Sequence, residues 1–176
     1  MALDLNITEI PSNAFKTSNQ MHLKIRKNLQ FLIFYYTNFK KSENESLNFG
    51  GNLVDRKFNV DFDFVNLTAN SFETGTFDGV TKPIVIRFLY NSSLDYFPEA
   101  TFKSVLNNTN SIIINFNKEP SFDCEDCKNF WLIRDNKAGQ VKDIFCKQDS
   151  GKKVKRTLLS QEIKNKLNLK CNKINQ

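Results

Sequence analysis

Apolar residues alternate with polar ones over short runs that end on an asparagine. Leu23-x-Ile25-x-x-Asn28, Leu47-x-Phe49-x-x-Asn52, Ile86-x-Phe88-x-x-Asn91 and Ile112-x-Ile114-x-x-Asn117 all take this form. A period of two puts the apolar pair on one face of a short strand, and an Asn fits the turn that closes it. Asn28 to Asn52 and Asn91 to Asn117 are about 24 and 26 residues apart, within the ~20–29-residue spacing of strand-plus-return repeats. The segments between strands echo one another too. Ile10-Pro11-Ser12-Asn13-Ala14-Phe15 matches Phe97-Pro98-Glu99-Ala100-Thr101-Phe102, and Gly75-Thr76-Phe77 is a shortened version ending on the same residue type. Phe15, Phe77 and Phe102 are therefore expected to stack along a common apolar spine.

The phase is less regular from 29 to 82. Phe62-x-Phe64-x-x-Leu67 fits a strand with Leu in the Asn position, while Lys40-Lys41-Ser42-Glu43-Asn44-Glu45 reads as an exposed loop. An ordinary all-β or α+β domain with strands such as Val60-x-Phe62-x-Phe64 and Val85-x-Arg87 is the competing reading, but it leaves the repeated phases unexplained. Toward the C-terminus the period changes. Lys128 to Arg134 predicts a short helix burying Phe130 and Trp131, and Leu158, Leu159, Ile163 and Leu167 recur at helical spacing in a last amphipathic helix.

Composition sets bounds on this picture. The chain has 176 residues, 40% hydrophobic and 25% charged, with seventeen Phe, enough for one folded domain with a substantial core. Its net charge of +6 is dispersed except at Lys152-Lys153-Val154-Lys155-Arg156, which reads as a solvated loop or as contact for an anionic surface. The longest apolar run, Phe31 to Tyr36, is far below the ~20 residues of a membrane span. No leader is evident after Met1, and residues 1 to 10 already read as mid-repeat. The expectation is the C-terminal part of a longer secreted protein, or a chain whose leader has been removed.

All four cysteines fall in the last third: Cys124, Cys127, Cys146 and Cys171. Zinc would call for a second close pair, and redox chemistry for a βαβ setting around the C-x-x-C, neither of which the sequence offers. Structural disulfides are the favoured reading, with three connectivities open. Together with the Phe-Trp-Leu-Ile-Arg-Asp run and the Ile112-x-Ile114-x-x-Asn117-x-x-Pro120 phase before them, these cysteines resemble the C-terminal cap of extracellular leucine-rich repeat proteins. The segment Cys124 to Asp135 is similar to small secreted arthropod members of that family, of the non-catalytic luciferase-subunit type.

The resemblance implies a fold and a pairing. The fold would be an α/β solenoid, a short leucine-rich repeat horseshoe with a parallel concave sheet and a disulfide-bonded helical cap. Repeats, about four to five of them and irregular between 29 and 82, would occupy 1–120; the cap would span 121–171 and a tail 172–176. The family pattern crosses the cysteines, first to third and second to fourth, implying Cys124 with Cys146 and Cys127 with Cys171.

Chemistry-bearing patterns are few. His22, the single histidine, precedes a predicted strand, Gly50-Gly51 reads as a turn, and Asp61 and Asp63 alternate with Phe so that their carboxylates share a face. No hydrolase, nucleotide-loop or zinc-protease motif occurs, so no catalytic residue, metal or cofactor is expected. Function is expected at the surface: a secreted, non-enzymatic binding or accessory protein that recognises a protein partner. Alternation places Lys24, Arg26, Asn48, Asp63, Arg87, Ile113 and Asn115 on the concave face. That mixture lacks the continuous positive stripe expected for nucleic acid. An innate-immune module binding a microbial glycan or lipid through Lys24, Arg26, Arg87 and the basic cluster is one alternative, a secreted enzyme with an unrecognised site another. N-x-[ST] sequons mark Asn6, Asn44, Asn66 and Asn107 for glycans, whereas Asn91, also in a sequon, is expected to be occupied by turn bonds.

Overall fold

The computed structural model describes residues 9–10, 31–35, 41–42, 58–63, 67–80, 83–90, 94–116, 122–147 and 160–172. Among them the elements run in chain order as β1 (Glu9–Ile10), β2 (Phe31–Tyr35), β3 (Lys41–Ser42), β4 (Phe58–Asp63), β5 (Ile84–Leu89), α1 (Glu99–Asn107), β6 (Ile112–Phe116), α2 (Phe130–Arg134), β7 (Val141–Lys142) and α3 (Gln161–Cys171). Strands β2, β4, β5, β6 and β7 form one sheet in that order, every neighbouring pair parallel. The remaining strands, β1 and β3, make a separate parallel pair. One row across the large sheet runs Ile33, Asp61, Arg87, Ile114, Lys142, stepping by 28, 26, 27 and 28 residues. Parallel neighbours cannot be joined by tight hairpins, so each step holds a strand and a return segment.

The return segments carry the core. Asp61 apart, the residues of β4 and β5 alternate in burial: Val60, Phe62, Ile84, Ile86 and Phe88 are fully buried while their neighbours along the strand are at least partly exposed. Phe62 and Phe88 stack at 5.4 Å, and Phe72 meets both edge-on. From there the rings continue through Phe77, Phe102, Phe97 and Phe122, with centroids 5.1–5.4 Å apart at each step. Each such pair adds about 0.5–1.5 kcal/mol to the burial of its rings. The predicted echo between Gly75-Thr76-Phe77 and Ala100-Thr101-Phe102 is physical. Gly75 donates its N–H to the Ala100 carbonyl at 3.3 Å, both threonine hydroxyls donate to the Glu73 carbonyl, and Phe77 packs on Phe102. Gly75 turns there with φ of 75°, a conformation a β-carbon disfavours.

The second return contains a regular helix rather than an irregular loop. Pro98 precedes α1, Glu99 complements its N-terminus, and Thr101, Phe102, Val105 and Leu106 form its buried stripe. Strand β2 lies where the sequence pattern looked irregular, because an unbroken apolar run such as Phe31 to Tyr35 carries no period to detect. Lys41 and Ser42, taken as part of an exposed loop, form β3. The strands expected at Leu23 and Leu47, and Phe15, lie outside the described residues.

The C-terminal segment is held to this body by covalent and polar ties. Two disulfides form, Cys124 to Cys146 and Cys127 to Cys171, with Cα–Cα distances of 5.3 and 5.5 Å. The short helix is present as a 3-10 turn, Cys127–Asn129, running into α2, and it buries Phe130 and Trp131. Ser160 caps α3 through the Ile163 N–H, and Ile163, Leu167 and Cys171 share its buried face at four-residue spacing. Four charges join α1 to α2. Lys103 pairs with Glu99 and Asp135 at 2.8 and 2.9 Å, and Arg134 pairs with the same two carboxylates at 2.6 and 2.8 Å. Hydrogen bonds from Arg134 and Lys103 hold the Asp135 carboxyl well below its ordinary range. At Glu99 burial pulls upward, but the bonds from Lys103 and Arg134 prevail and lower it.

A depressed carboxyl releases its proton more readily in the folded chain than in the unfolded one, so its stabilisation is present above the unfolded pKa and disappears as pH falls. Stability is therefore expected to decline on acidification below pH ~4, and Asp135→Asn to flatten that decline. Urea titrations at pH 3 and 6 check this; equal slopes for the two proteins would remove the network as its cause.

Candidate functional site

On the side of the sheet turned away from the aromatic core, the described side chains are alternate residues of four strands. Asn59, Asp61 and Asp63 come from β4, Val85, Arg87 and Leu89 from β5, Ile112, Ile114 and Phe116 from β6, and Lys142 from β7. It divides into two zones. On β4 and the middle of β5 the Arg87 guanidinium donates to Asp61 at 2.8 Å and to Asn59 at 3.0 Å. Burial pushes the Asp61 carboxyl up, and the Arg87 charge beside it only partly offsets this. The pair thus works as a cross-strand clamp, partly withdrawn from water, at the junction of β4 and β5.

The second zone is apolar. Val85 and Leu89 stand in register with Ile112 and Phe116, and Arg87 with Ile114, so an aliphatic patch continues from β5 onto β6. Phe116 is 44% exposed at its end. Tyr90, 39% exposed, meets Phe116 edge-on at 6.3 Å, and Phe145 lies edge-on to the same ring at 6.5 Å. Tyr90 adopts a left-handed backbone with φ of 55° while its N–H donates to the Phe116 carbonyl at 3.0 Å. That conformation is costly for a bulky side chain and persists only where the surroundings enforce it, as at functional positions. Exposed Lys142, in register with Ile114, borders the patch on β7.

Of the seven positions assigned to this face from sequence, the structure brings Asp63 and Arg87 together on it. Lys24, Arg26 and Asn48 lie outside the described residues. Ile113 and Asn115 require correction. Both point into the core, 0% and 2% exposed, and the outward residues of β6 are Ile112, Ile114 and Phe116. Three consecutive isoleucines fit an alternating pattern in either phase, and a one-residue slip turns every side chain over. Tertiary register decides it: Ile113 aligns with Ile86, and Asn115 with Phe88. Asn115 consequently ends a row of buried aromatics, and its Oδ1 has no hydrogen-bond partner among the described residues. Tyr90 and Phe145 escaped the sequence reading, since neither sits on the strand alternation.

Asn107 ends α1 in an exposed position, compatible with a glycan, while Asn6, Asn44, Asn66 and Asn91 lie outside the described residues. His22, Lys24 and the basic cluster at 152–156 are also outside them. Among the described residues no cluster of three or more His, Cys, Asp or Glu side chains could hold a metal ion, and no helix is long and apolar enough to cross a membrane. No protein-family model, curated protein or solved structure matches the chain.

Reversal of the clamp, Arg87→Glu, is expected to destabilise the fold by about 2–3 kcal/mol, because it sets a second carboxylate against buried Asp61. Arg87→Met, which keeps the stem but not the charge, should cost clearly less. Chemical denaturation of both variants checks the order, and equal midpoints would show that the clamp contributes nothing.

Proposed function

We propose that this chain is a secreted, non-enzymatic binding or accessory module of leucine-rich repeat type, and that it recognises a protein partner through the outward sheet face. The observation that carries the reading is the exposed pair Phe116 and Tyr90, with Ile112, Ile114 and Leu89 behind them, on a regular face that the core does not use. Large apolar groups beside a polar, ion-paired zone have the composition of a recognition patch, in which buried aromatics supply affinity and the polar margin supplies register. Support for the solenoid comes from strands stacked in parallel and in chain order at steps of 26 to 28 residues, and from return segments that bond one another. The crossed cysteine pairing is the one the family resemblance implies, and disulfides suit an oxidising, extracellular setting. Recognition of glycan or lipid anions is less favoured, because Arg87, one of the cations it needs, is already engaged by Asp61 and Asn59.

The test is quantitative capture from the extracellular fluid of the source, comparing the native chain with Phe116→Glu, Tyr90→Ser and, as a control on a separate element, Lys164→Glu. A partner retained by the native chain and the control but reduced about tenfold or more by Phe116→Glu is the expected result, since each hot-spot aromatic contributes on the order of 2 kcal/mol. Equal retention by all four proteins would exclude this face.

A further inference from the structure

A cleft of about 230 Å³ opens beside the C-terminal ends of α2 and α3, away from the residues of the proposed recognition face. Both halves of one disulfide, Cys127 and Cys171, line it, together with Lys128, Arg134, Glu99 and Trp131. The other disulfide has no such access. Cys124 and Cys146 are 1% and 3% exposed and sit in the core cluster; in the other pair Cys171 is as deeply buried, at 2%, but Cys127 is only partly buried. The cleft is also electrically distinct. Lys128 lies over the Tyr96 ring at 4.4 Å and is paired with no carboxylate among the described residues, while Arg134 is engaged by Glu99 and Asp135.

We propose that the Cys127–Cys171 disulfide is a thiol-exchange site, addressed by a small thiol that carries a carboxylate. This inference does not depend on what the sheet face binds. The cleft offers room for a molecule of amino-acid to small-peptide size, and the Lys128 ammonium attracts both an incoming thiolate and the carboxylate that accompanies it. The thiolate attacks Cys127 Sγ, the more accessible sulfur. A new S–S bond forms there as the Cys127–Cys171 bond breaks, and its electron pair leaves on Cys171 Sγ as a thiolate. A second thiolate then attacks the sulfur of the bound thiol, departs with it as a small symmetric disulfide, and leaves Cys127 as a thiolate. Two thiols are oxidised and one protein disulfide is reduced.

The bond that opens is the one that fastens α3. Without it α3 is held by buried Ile163 and Leu167 and by exposed contacts of Lys166 and Lys170 to Glu125. Exposed ion pairs hold weakly, so only the burial of Ile163 and Leu167 then retains α3, and its Cys171 end is loosened at the cleft it shares with Trp131, the single tryptophan. Exchange at this one site thereby converts a small-molecule reaction into loosening of a helix.

The experiment treats the intact protein with glutathione or, in parallel, with cysteamine, which has no carboxylate, then quenches with iodoacetamide and maps the cysteines over time. Glutathione is expected to open Cys127–Cys171 at least tenfold faster than Cys124–Cys146, to leave its adduct on Cys127, and to shift Trp131 emission to the red in step with that event. Lys128→Glu, and more mildly Lys128→Gln, should slow glutathione about fivefold or more relative to cysteamine. Opening of both disulfides at one rate, prior opening of Cys124–Cys146, an adduct on Cys171 alone, or an unchanged glutathione-to-cysteamine ratio in both Lys128 variants would each overturn the proposal.

Discussion

Trp131→Ala is expected to lower the unfolding free energy by about 5 kcal/mol. Removing a fully buried indole costs about 3–5 kcal/mol, and the carbonyl it leaves behind adds a further penalty of about 1–3 kcal/mol. That carbonyl belongs to Phe97, which accepts from Trp131 Nε1 at 2.9 Å while its own N–H donates to Asn129 Oδ1 at 3.2 Å. Asn129 is itself fully buried and donates onward to the Asp123 carbonyl at 2.8 Å. Asn129, in the 3-10 turn before α2, and Trp131 of α2 thus grip the N–H and the carbonyl of a single residue, 32 and 34 positions upstream. Total stabilities of domains this size are about 5–15 kcal/mol, so the alanine variant should be largely unfolded or close to it. Trp131→Phe retains most of the apolar volume and loses the N–H, so a smaller cost of about 1–3 kcal/mol is expected. Urea unfolding followed by circular dichroism measures both, and a cost for Trp131→Ala below about 2 kcal/mol would mean that the grip on Phe97 is not formed.

Loss of either disulfide is the other large effect. In the chain-entropy account a cross-link spanning 22 residues, as Cys124–Cys146 does, stabilises by about 3 kcal/mol, and one spanning 44, as Cys127–Cys171 does, by about 4 kcal/mol. The two loops interlock, since Cys127 lies inside the first and Cys146 inside the second, so they restrict much of the same unfolded chain. Paired Cys→Ala substitutions should therefore each lower the denaturant midpoint, while the four-alanine variant loses less than the sum of the two. Strict additivity would show that the loops are independent, and an unchanged midpoint in either pair would show that the bond contributes no stability.

Features that depend on local pattern were legible before any fold was known. The echo of Gly75-Thr76-Phe77 in Ala100-Thr101-Phe102 located two core residues that pack on one another, because similar short segments can bond and pack in similar ways. Helical spacing located α3, as Ile163 and Leu167 had to share a face, and the Phe130-Trp131 pair marked a short buried helix. Disulfides followed from cysteine number and setting, and their crossing from a family likeness rather than from spacing.

Other features come from long-range pairing alone. Phe31 to Tyr35 has no period, so only pairing with β4 shows it to be a strand. The isoleucines at 112 to 114 satisfy either phase, and the choice between them is made by alignment with β5, which buries Asn115 and turns Phe116 outward. Arg87 looked like a solvent-facing cation until the neighbouring strand supplied Asp61 and Asn59. The Phe97 grip and the charged cluster of Glu99, Lys103, Arg134 and Asp135 join residues more than 30 positions apart. Local sequence limits which faces of an element can be apolar, but the partner that meets a face is a matter of chain closure, and no periodicity encodes it.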